Sequence, residues 1–433
     1  MKKRLRPVLS VLLSSLFCVT ALFGCAGEND SSAEGEQAEK TDTITVWCSD
    51  NDHYAKVIDI AKKSVQIQHP EFEIDLEAVS ADQIPARLAA SDEAPDLILT
   101  DDYTLVEILL EHPEELTNLA DSGIDFSNFT EARLALTSSD GTAAGDPYAL
   151  PLNCAQAAAY QRFDLLQQAG YSADASDSLT WEDYSALSQD LSEKTGHDFG
   201  MIRSAENEFP MILLQQSKTV LTGGNIADNP ALRTALGEYQ TLCAEGAVTP
   251  VGGSEEDFLK KIRKDFGTGS LFGGSKTFMD SMQNRHVTGL FCMCALPSFS
   301  GGSSAAMSEG MSFAVPAGSD QKEAVFYYLR EGFASDPALY GQYYSQCNVV
   351  GDYLPALSDP TFSGGLEYFG GQCVAKELLM TAQQCPAADR TLFSPEFQNC
   401  LSYGCRQLRS GADLDETLRQ MQALYDASGR PQP

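Results

Sequence analysis

The sequence predicts an α/β fold in which a mostly parallel sheet carries helices on its faces. The main observation is an alternation of strand, helix, strand, helix and strand between residues 44 and 100, which is typical of parallel sheets covered by helices. A second observation is that two of these strands run directly into polar residues. Polar groups are expected there because ligands bind at the carboxyl ends of the strands in such sheets.

The first elements follow from the spacing of apolar residues. Residues 44–47 form a β-rich run, and residues 55–65 repeat apolar side chains near the 3.6-residue period of a helix. Alternating apolar residues predict a second strand over 71–79. A short helix over 84–90 and an apolar strand over 96–100 complete this part of the chain.

The later elements are predicted from turn and capping residues. Residues 148–153 are extended, and residues 155–169 are predicted as a helix that ends at Gly170. Thr180, followed three residues later by Asp183, resembles a capping box and begins a helix predicted to end near residue 194. A strand is also predicted over 311–315, and helices over 323–333, 396–409 and 414–427.

The first residues predict export. Basic residues dominate the first six positions, and residues 8–23 are almost wholly apolar, a run shorter than the roughly 20 residues of a spanning helix. We therefore expect residues 1–24 to be a signal peptide. Leu22-Phe23-Gly24-Cys25 resembles the lipobox of bacterial lipoproteins, which implies a lipid on Cys25 and a flexible acidic tether over 25–41. The alternative is ordinary signal cleavage, with Cys25 as a chance residue.

The charge and the cysteines limit the possible partners. The formal net charge is −32 at pH 7, and so acidic a chain repels phosphate backbones, which excludes nucleic acid as a partner. Cys292 and Cys294 are too close together for the usual zinc spacing, and none of the five histidines lies beside them. We predict no metal, no cofactor and no particular disulfide, although a bridge between Cys400 and Cys405 stays open.

Several short motifs occur in a fixed order along the chain. They are a strand ending in tryptophan at 43–47, Pro-Asp before an aliphatic strand at 95–99, Tyr-x-x-Pro at 148–151, Thr-Trp-Glu-Asp-Tyr at 180–184 and an acidic helix start at 415–418. Together they resemble the extracellular solute-binding proteins of family 1, which are the sugar-type receptors of ABC importers. The resemblance extends over nearly the whole chain after the tether.

The resemblance implies a two-lobed periplasmic-binding-protein-like fold, in which each lobe is a sheet flanked by helices and the ligand cleft lies between the lobes. It implies a first lobe of residues 42–152 and 298–345 and a second lobe of 153–297 and 346–433. It further implies a monomer, held by its lipid at the extracytoplasmic face of the cell membrane. Such a protein captures a small polar solute, here a sugar or oligosaccharide, by lobe closure and passes it to an ABC transporter permease.

Polar and aromatic side chains at the strand ends are the candidate ligand-binding groups. Sugars expose hydroxyls and flat apolar faces, so their sites combine carboxylate or amide acceptors with aromatic rings. The candidates at strand ends are Trp47, Asp50, Asn51, Asp52, Asp101, Asp102 and Tyr103, and a further candidate, Asn153, follows the crossover. Alternatives stay open, because Trp47 could pack in the core and residues 50–52 could form a solvated turn.

Two further candidates follow from the resemblance. Related receptors usually place an aromatic residue in the cleft from the segment that corresponds to 270–276, where this chain has Phe272-Gly273-Gly274-Ser275-Lys276. This departure weakens a stacking subsite there and favours a polar or charged ligand, with Lys276 as the candidate contact. Phe397 lies near the position of another family aromatic residue, with core packing as an equal alternative.

Two other functions stay open beside the sugar receptor. A receptor for another polar solute, cationic or peptide, would suit the acidic loops. A surface-anchored hydrolase would use carboxylates such as Asp101 and Asp102, but adjacent strand residues point to opposite faces. The sequence also lacks the Gly-x-Ser-x-Gly and His-Glu-x-x-His motifs. We therefore predict a binding protein and no enzyme.

Overall fold

The structure is a computed structural model of the chain. It describes residues 43–90, 94–172, 178–197, 200–203, 207–252, 291–308 and 310–428, together with the backbone of 270–274. The predicted signal peptide, Cys25, the tether and Lys276 lie outside the described residues.

Ten strands form two separate sheets in the described part of the chain. The strands are β1 (Thr43–Cys48), β2 (Glu73–Ala78), β3 (Leu97–Asp101), β4 (Ala149–Pro151), β5 (Ala157–Arg162), β6 (Met201–Arg203), β7 (Thr249–Val251), β8 (Ser270–Gly274), β9 (Phe291–Cys294) and β10 (Met311–Ala314). The first sheet has the order β2-β1-β3-β10-β4 and the second the order β7-β6-β8-β5-β9. In the first sheet β2, β1 and β3 are parallel, and β10 is antiparallel to both its neighbours.

Helices cover both sheets. The thirteen that the described residues contain are α1 (Asn51–Val65), α2 (Ile84–Ala90), α3 (Asp102–Glu111), α4 (Glu131–Thr137), α5 (Phe163–Gln168), α6 (Trp181–Thr195), α7 (Glu208–Gln216), α8 (Pro230–Ala244), α9 (Lys322–Phe333), α10 (Pro337–Cys347), α11 (Val374–Ala382), α12 (Pro395–Arg409) and α13 (Leu414–Ala427). Throughout this described part, the helices fall short of the length and apolar character that crossing a bilayer requires. The predicted α/β architecture of sheets flanked by helices is confirmed.

The helix predicted from the capping box is confirmed as α6. The Asp183 amide donates to Thr180 Oγ1 at 3.1 Å, and the Thr180 amide donates to Asp183 Oδ2 at 3.2 Å. These two bonds satisfy N–H groups that the first turn of a helix would otherwise leave unpaired. Gly196 ends the helix with a φ of 72°, a left-handed conformation that glycine adopts without steric cost.

The helix predicted over 155–169 is wrong. Its first half is strand β5, and only Phe163–Gln168 is helical. All six residues of β5 are buried because the second sheet is covered on both faces, so this strand lacks the polar alternation that distinguishes a strand from a buried helix. The polar loops predicted after β1 and β3 are also short, since α1 begins at Asn51 and α3 at Asp102.

The two faces of the second sheet pack into different cores. Alternate residues of β5 and β9 belong to one cluster with the helices α6, α7, α8, α12 and α13, and the intervening residues belong to a second cluster with α10 and α11. The second cluster continues into the core under β1 and β3. We call the first sheet with α1–α4, α9 and α10 the first lobe, and the second sheet with α5–α8, α12 and α13 the second lobe. The sequence ranges of the lobes stay a prediction.

Two chain segments connect the sheets, and a third pairs with them. The crossover from β4 to β5 (152–156) is bonded to the crossover that leads into β10 (305–308 and 310), for example from the Ser308 amide to the Ala155 carbonyl at 2.5 Å. The third segment, 350–352, pairs with the first from the Cys154 amide to the Val350 carbonyl at 3.0 Å. Such a small set of adjacent backbone connections is the kind of element about which lobes close.

Candidate functional site

The carboxyl ends of β1 and β3 lie side by side at one edge of the first sheet. The Ser49 amide donates to the Leu99 carbonyl at 3.0 Å. On the other side of β3, Asp101 is paired with Met311 of β10. The Met311 amide donates to Asn153 Oδ1 at 2.7 Å. The register therefore places all three polar groups predicted from the sequence at the same edge.

Asn51 offers an unused acceptor at this edge. It is partly exposed, but its Oδ1 atom is buried and has no hydrogen-bond partner among the described residues. Neighbouring Asp50 lies 2.7 Å from His53 Nδ1, and Asp52 is exposed. A buried acceptor without a partner costs about 1–3 kcal/mol. Asn51 is therefore the residue of the 50–52 group that has unused hydrogen-bonding capacity, although this oxygen is not exposed in the structure.

Asp101 is engaged as the N-cap of α3. Its carboxylate accepts from the Thr104 amide at 2.9 Å and from Thr104 Oγ1 at 3.1 Å. Only 8% of the residue is exposed, and burial raises the pKa of this carboxyl because it disfavours the charged form. Asp101 thus shapes the edge of the sheet and presents little surface to a ligand.

Asp102 is enclosed in a buried ion pair. Asp102 and Arg133 are both 0% exposed and contact each other through Oδ2 and Nη1. Asp102 Oδ2 also accepts from the Gly310 amide at 2.8 Å, and Arg133 Nη2 donates to Ser312 Oγ at 2.7 Å. The pair joins α3 and α4 to the crossover before β10. This placement favours a structural role over the ligand contact that the sequence predicted for Asp102.

The predicted aromatic contacts are mostly packed away from solvent. Trp47 is 3% exposed, and the Arg87 guanidinium lies 4.2 Å from its ring centroid. Phe397 is 0% exposed in the core of the second lobe. Core packing, which the sequence left open for both, is the role that the structure supports. Tyr103 is partly exposed, and its ring centroid lies 5.4 Å from that of Phe393.

A further polar group, which was not predicted from the sequence, lies in the second lobe at the end of β6. Arg203 Nη2 is 3.3 Å from Glu208 Oε2, and both side chains are 17% exposed. Ser308 Oγ donates to the other oxygen of Glu208. The strand β6 has only three residues, too few for a periodic pattern, so the polar residues after it were not recognised as a strand end.

One crossover segment contacts polar residues of both lobes. Ser308 bonds Glu208 of the second lobe, and Gly310 bonds Asp102 of the first lobe. Ser308 and Gly310 are two positions apart in sequence and so at most about 7 Å apart, and the polar ends of the two sheets therefore flank this crossover. We call the surface formed by Asn51, Tyr103, Asn153, Arg203 and Glu208 the candidate cleft.

A buried acid lies where the third segment pairs with the crossover. Asp352 is 0% exposed and accepts from the Thr130 amide at 3.0 Å and from Thr130 Oγ1 at 2.8 Å. Burial raises its pKa from 3.8 to about 7, against the opposing effect of the nearby Arg133 charge. The connection between the lobes therefore contains a carboxyl that titrates near neutrality.

The candidate cleft is suited to hydrogen bonding. It combines amide and carboxylate acceptors with one guanidinium donor and one phenol ring. Within the described ranges, no group of three or more histidine, cysteine or acidic side chains is placed to hold a metal ion.

A second contact between the lobes lies away from the crossovers. Arg390, which follows α11, donates from Nη1 to the Ser138 carbonyl at 2.6 Å and from Nη2 to the Ser139 carbonyl at 2.9 Å. Its neighbour Asp389 accepts from the Leu221 amide of the second lobe at 2.7 Å. Arg390 therefore holds a segment of the second lobe against the end of α4.

Comparison with known proteins identifies the fold. A lactose-binding protein of Rhizobium radiobacter is 24% identical over 427 residues, covering 94% of this chain and 94% of the relative. A solved structure of an extracellular solute-binding protein of family 1 superposes with a TM-score of 0.72 at 15% identity, covering 90% of this chain and 100% of that one. UgpB of Mycobacterium tuberculosis, solved with glycerophosphocholine, gives a TM-score of 0.71 at 17% identity, with 90% and 99% covered. No protein-family model matches the chain. The resemblance to family 1 solute-binding proteins and their two-lobed fold is confirmed.

Proposed function

We propose that this chain is a solute-binding protein that captures a sugar or oligosaccharide between its two lobes and delivers it to an ABC importer. The observation that carries the proposal is the similarity to a lactose-binding protein over 94% of both chains. The geometry supports it, because polar side chains of both lobes flank one crossover at the candidate cleft.

The candidate cleft offers the contacts that a hydroxyl-rich ligand needs. The amide oxygen of Asn51 and the carboxylate of Glu208 accept hydrogen bonds, and Arg203 donates them. A ligand that bonds Asn51 on the first lobe and Glu208 on the second binds the closed arrangement more tightly than an open one. That difference in affinity shifts the population toward closure.

A thermal-shift screen tests the ligand class. The purified protein is mixed with lactose, other mono- and oligosaccharides, amino acids, polyamines and a glycerophosphodiester. A ligand at 100 times its dissociation constant adds roughly 2.7 kcal/mol of stability, so a sugar hit appears as a raised melting temperature. A response to none of the sugars, with a clear response to another class, would overturn the sugar assignment and keep the receptor.

The main alternative is a receptor for a cationic or peptide solute. The same fold binds glycerophosphocholine in UgpB, so the fold alone does not set the ligand class. The similarity in sequence to a lactose-binding protein favours a sugar over this alternative. An anchored hydrolase is the least supported function. If the protein has this activity, incubation with glycans would release hydrolysis products.

Membrane anchoring through a lipid on Cys25 and docking on a permease complete the proposal. The basis for anchoring is the lipobox-like run that ends at Cys25. When the full chain is expressed in a bacterial host, detergent phase separation should move it into the detergent phase. Metabolic labelling with a fatty acid should mark the wild type and leave the Cys25→Ser variant unlabelled, and wild-type protein in the aqueous phase would contradict the anchor. Chemical crosslinking in membranes that contain the cognate permease tests docking.

A further inference from the structure

Ala155 has an unusual backbone conformation in the middle of the crossover from β4 to β5. Its φ is 50°, in the left-handed region that a residue with a Cβ atom adopts only at a cost in free energy. The residue is also buried, with 6% of its surface exposed. Neither the freedom of a glycine nor a polar side chain that bonds its own backbone explains this conformation. Such residues persist when their surroundings enforce them, and they are frequent in segments that switch.

This crossover changes its hydrogen-bonding partner at Ala155. On one side, the Cys154 amide donates to the Val350 carbonyl of the third segment at 3.0 Å. On the other side, the Ala155 carbonyl accepts from the Ser308 amide, in the crossover that leads into β10, at 2.5 Å. The residues before Ala155 are therefore fixed to the third segment, and those after it are fixed to the other crossover.

The peptide that joins Cys154 to Ala155 is not held by hydrogen bonds. Within the part of the chain that the structure describes, neither the Cys154 carbonyl nor the Ala155 amide has a hydrogen-bond partner, although both residues are buried. Rotation of one planar peptide changes ψ of the residue before it and φ of the residue after it in opposite directions, so the chain nearly keeps its path. This peptide can therefore turn without breaking a hydrogen bond, and the turn takes Ala155 out of the left-handed region.

We propose that the Cys154–Ala155 peptide is a strained joint between the lobes, which rotates when the lobes change their arrangement. In the arrangement of this structure Ala155 carries the strain, and in the other arrangement its φ is negative and the strain is released. The strain therefore disfavours the present arrangement and sets a bias on the equilibrium that a ligand shifts. The proposal rests on the lobe movement of the proposed function and not on the class of ligand.

Substitution of Ala155 by glycine and by valine tests the joint in both directions. Glycine adopts the left-handed region without steric cost, so Ala155→Gly should shift the equilibrium toward the arrangement of this structure by roughly 5- to 30-fold. Ala155→Val should shift it the other way, because a β-branched residue is disfavoured there even more than alanine. Lys218→Gly is the matched control, since Lys218 has a φ of 56° but follows α7, outside the three connecting segments.

Single-molecule energy transfer on the purified full chain measures the populations of the two arrangements. Fluorophores are attached through unnatural amino acids at Lys63 on α1 and Glu193 on α6, which are exposed on the first and second lobes. No ligand is added, so the result does not depend on the proposed ligand class. We expect the fraction of molecules at the distance found in this structure to rise in Ala155→Gly, to fall in Ala155→Val and to stay unchanged in Lys218→Gly.

Cooperative thermal unfolding checks that each variant folds, and if the valine variant does not fold, the glycine comparison decides alone. The joint is refuted if Ala155→Gly leaves the distribution of distances unchanged or shifts it away from the distance in this structure. It is also refuted if Lys218→Gly produces the same shift. A shift confined to Ala155→Gly in a protein that binds no sugar would support the joint and contradict the proposed ligand class alone.

Discussion

Replacing Asp102 with asparagine should destabilise the protein far more than a surface substitution. The change is nearly isosteric, so it removes a charge without opening a cavity. Arg133, which is 0% exposed, is then left as a buried cation without its counterion. Removal of one partner of a buried ion pair typically costs about 3–5 kcal/mol. We expect a loss in this range because Asp102 also loses part of its bond to the Gly310 amide.

Urea unfolding, monitored by tryptophan fluorescence, measures this loss of unfolding free energy. The only two tryptophans are Trp47 in the first lobe and Trp181 in the second, so the first reports directly on the lobe that contains the ion pair. The double variant Asp102→Asn with Arg133→Met removes both charges. It should be more stable than the sum of the single losses predicts, by roughly 1–3 kcal/mol of coupling energy.

Asp59→Asn on α1 is the matched control, because its carboxylate is 43% exposed and pairs with Lys63 on the surface. Its loss should stay below about 1 kcal/mol. The structural role of the Asp102–Arg133 pair is refuted if Asp102→Asn costs no more than this control, or if the two single changes add without coupling.

Three further substitutions test the connections and contacts between the lobes. Asp352→Asn should flatten the pH dependence of the unfolding free energy between about pH 4 and 7. The raised pKa of Asp352 means that its carboxyl keeps a proton in the folded state in this range. The group therefore stabilises the fold at low pH, and this contribution falls by up to about 1.4 kcal/mol per pH unit as the pH rises. Arg390→Ala removes both bonds to carbonyls of the first lobe and should increase the radius of gyration of the ligand-free protein in solution scattering. Gly351→Ala should cost about 1–3 kcal/mol, because a methyl group there would overlap the Tyr340 ring, whereas Gly318→Ala, with open space around it, should be neutral.

Each of these outcomes has a result that would contradict it. An unchanged stability profile in Asp352→Asn would show that Asp352 does not titrate in this window. Arg419→Ala, whose side chain is 65% exposed, is the control for Arg390→Ala. Equal radii of gyration of the two variants would contradict the role of Arg390 in holding the lobes together. Equal losses from the two glycine substitutions would contradict the close packing at the third segment.

The sequence predicted those elements whose pattern is local. The alternation of strands and helices before residue 101 and the capping box at Thr180 were readable because period and capping residues lie within a few positions of each other. Strand β5 could not be predicted, because burial on both faces removes the alternation of apolar and polar residues. Strand β6 was not predicted, because its three residues are too few to show a periodic pattern.

The candidate site was predicted in part, for a related reason. The strand-end rule predicted that Asn51 and Asp101 lie at one edge because parallel strands share their carboxyl end, whereas Asn153 was predicted as a residue that follows the crossover. The rule did not show that Asp102 is bonded to Arg133, because that partner lies 31 residues away on another helix. Likewise, nothing local distinguishes a buried Phe397 from an aromatic residue that lines a cleft.

Isothermal titration of the protein with lactose and with the best sugar from the screen tests whether the candidate cleft binds a sugar. We expect one saturable site, with an affinity near the micromolar range and thus about −8 kcal/mol. Asn51→Ala and Glu208→Gln, on opposite sides of the cleft, should each weaken binding by roughly 5- to 150-fold through the loss of one hydrogen bond. Glu193→Gln, on the exposed surface of α6, should leave the affinity unchanged. Sugar binding that survives both cleft substitutions would contradict the location of the site, and no binding heat with any sugar would contradict the function itself.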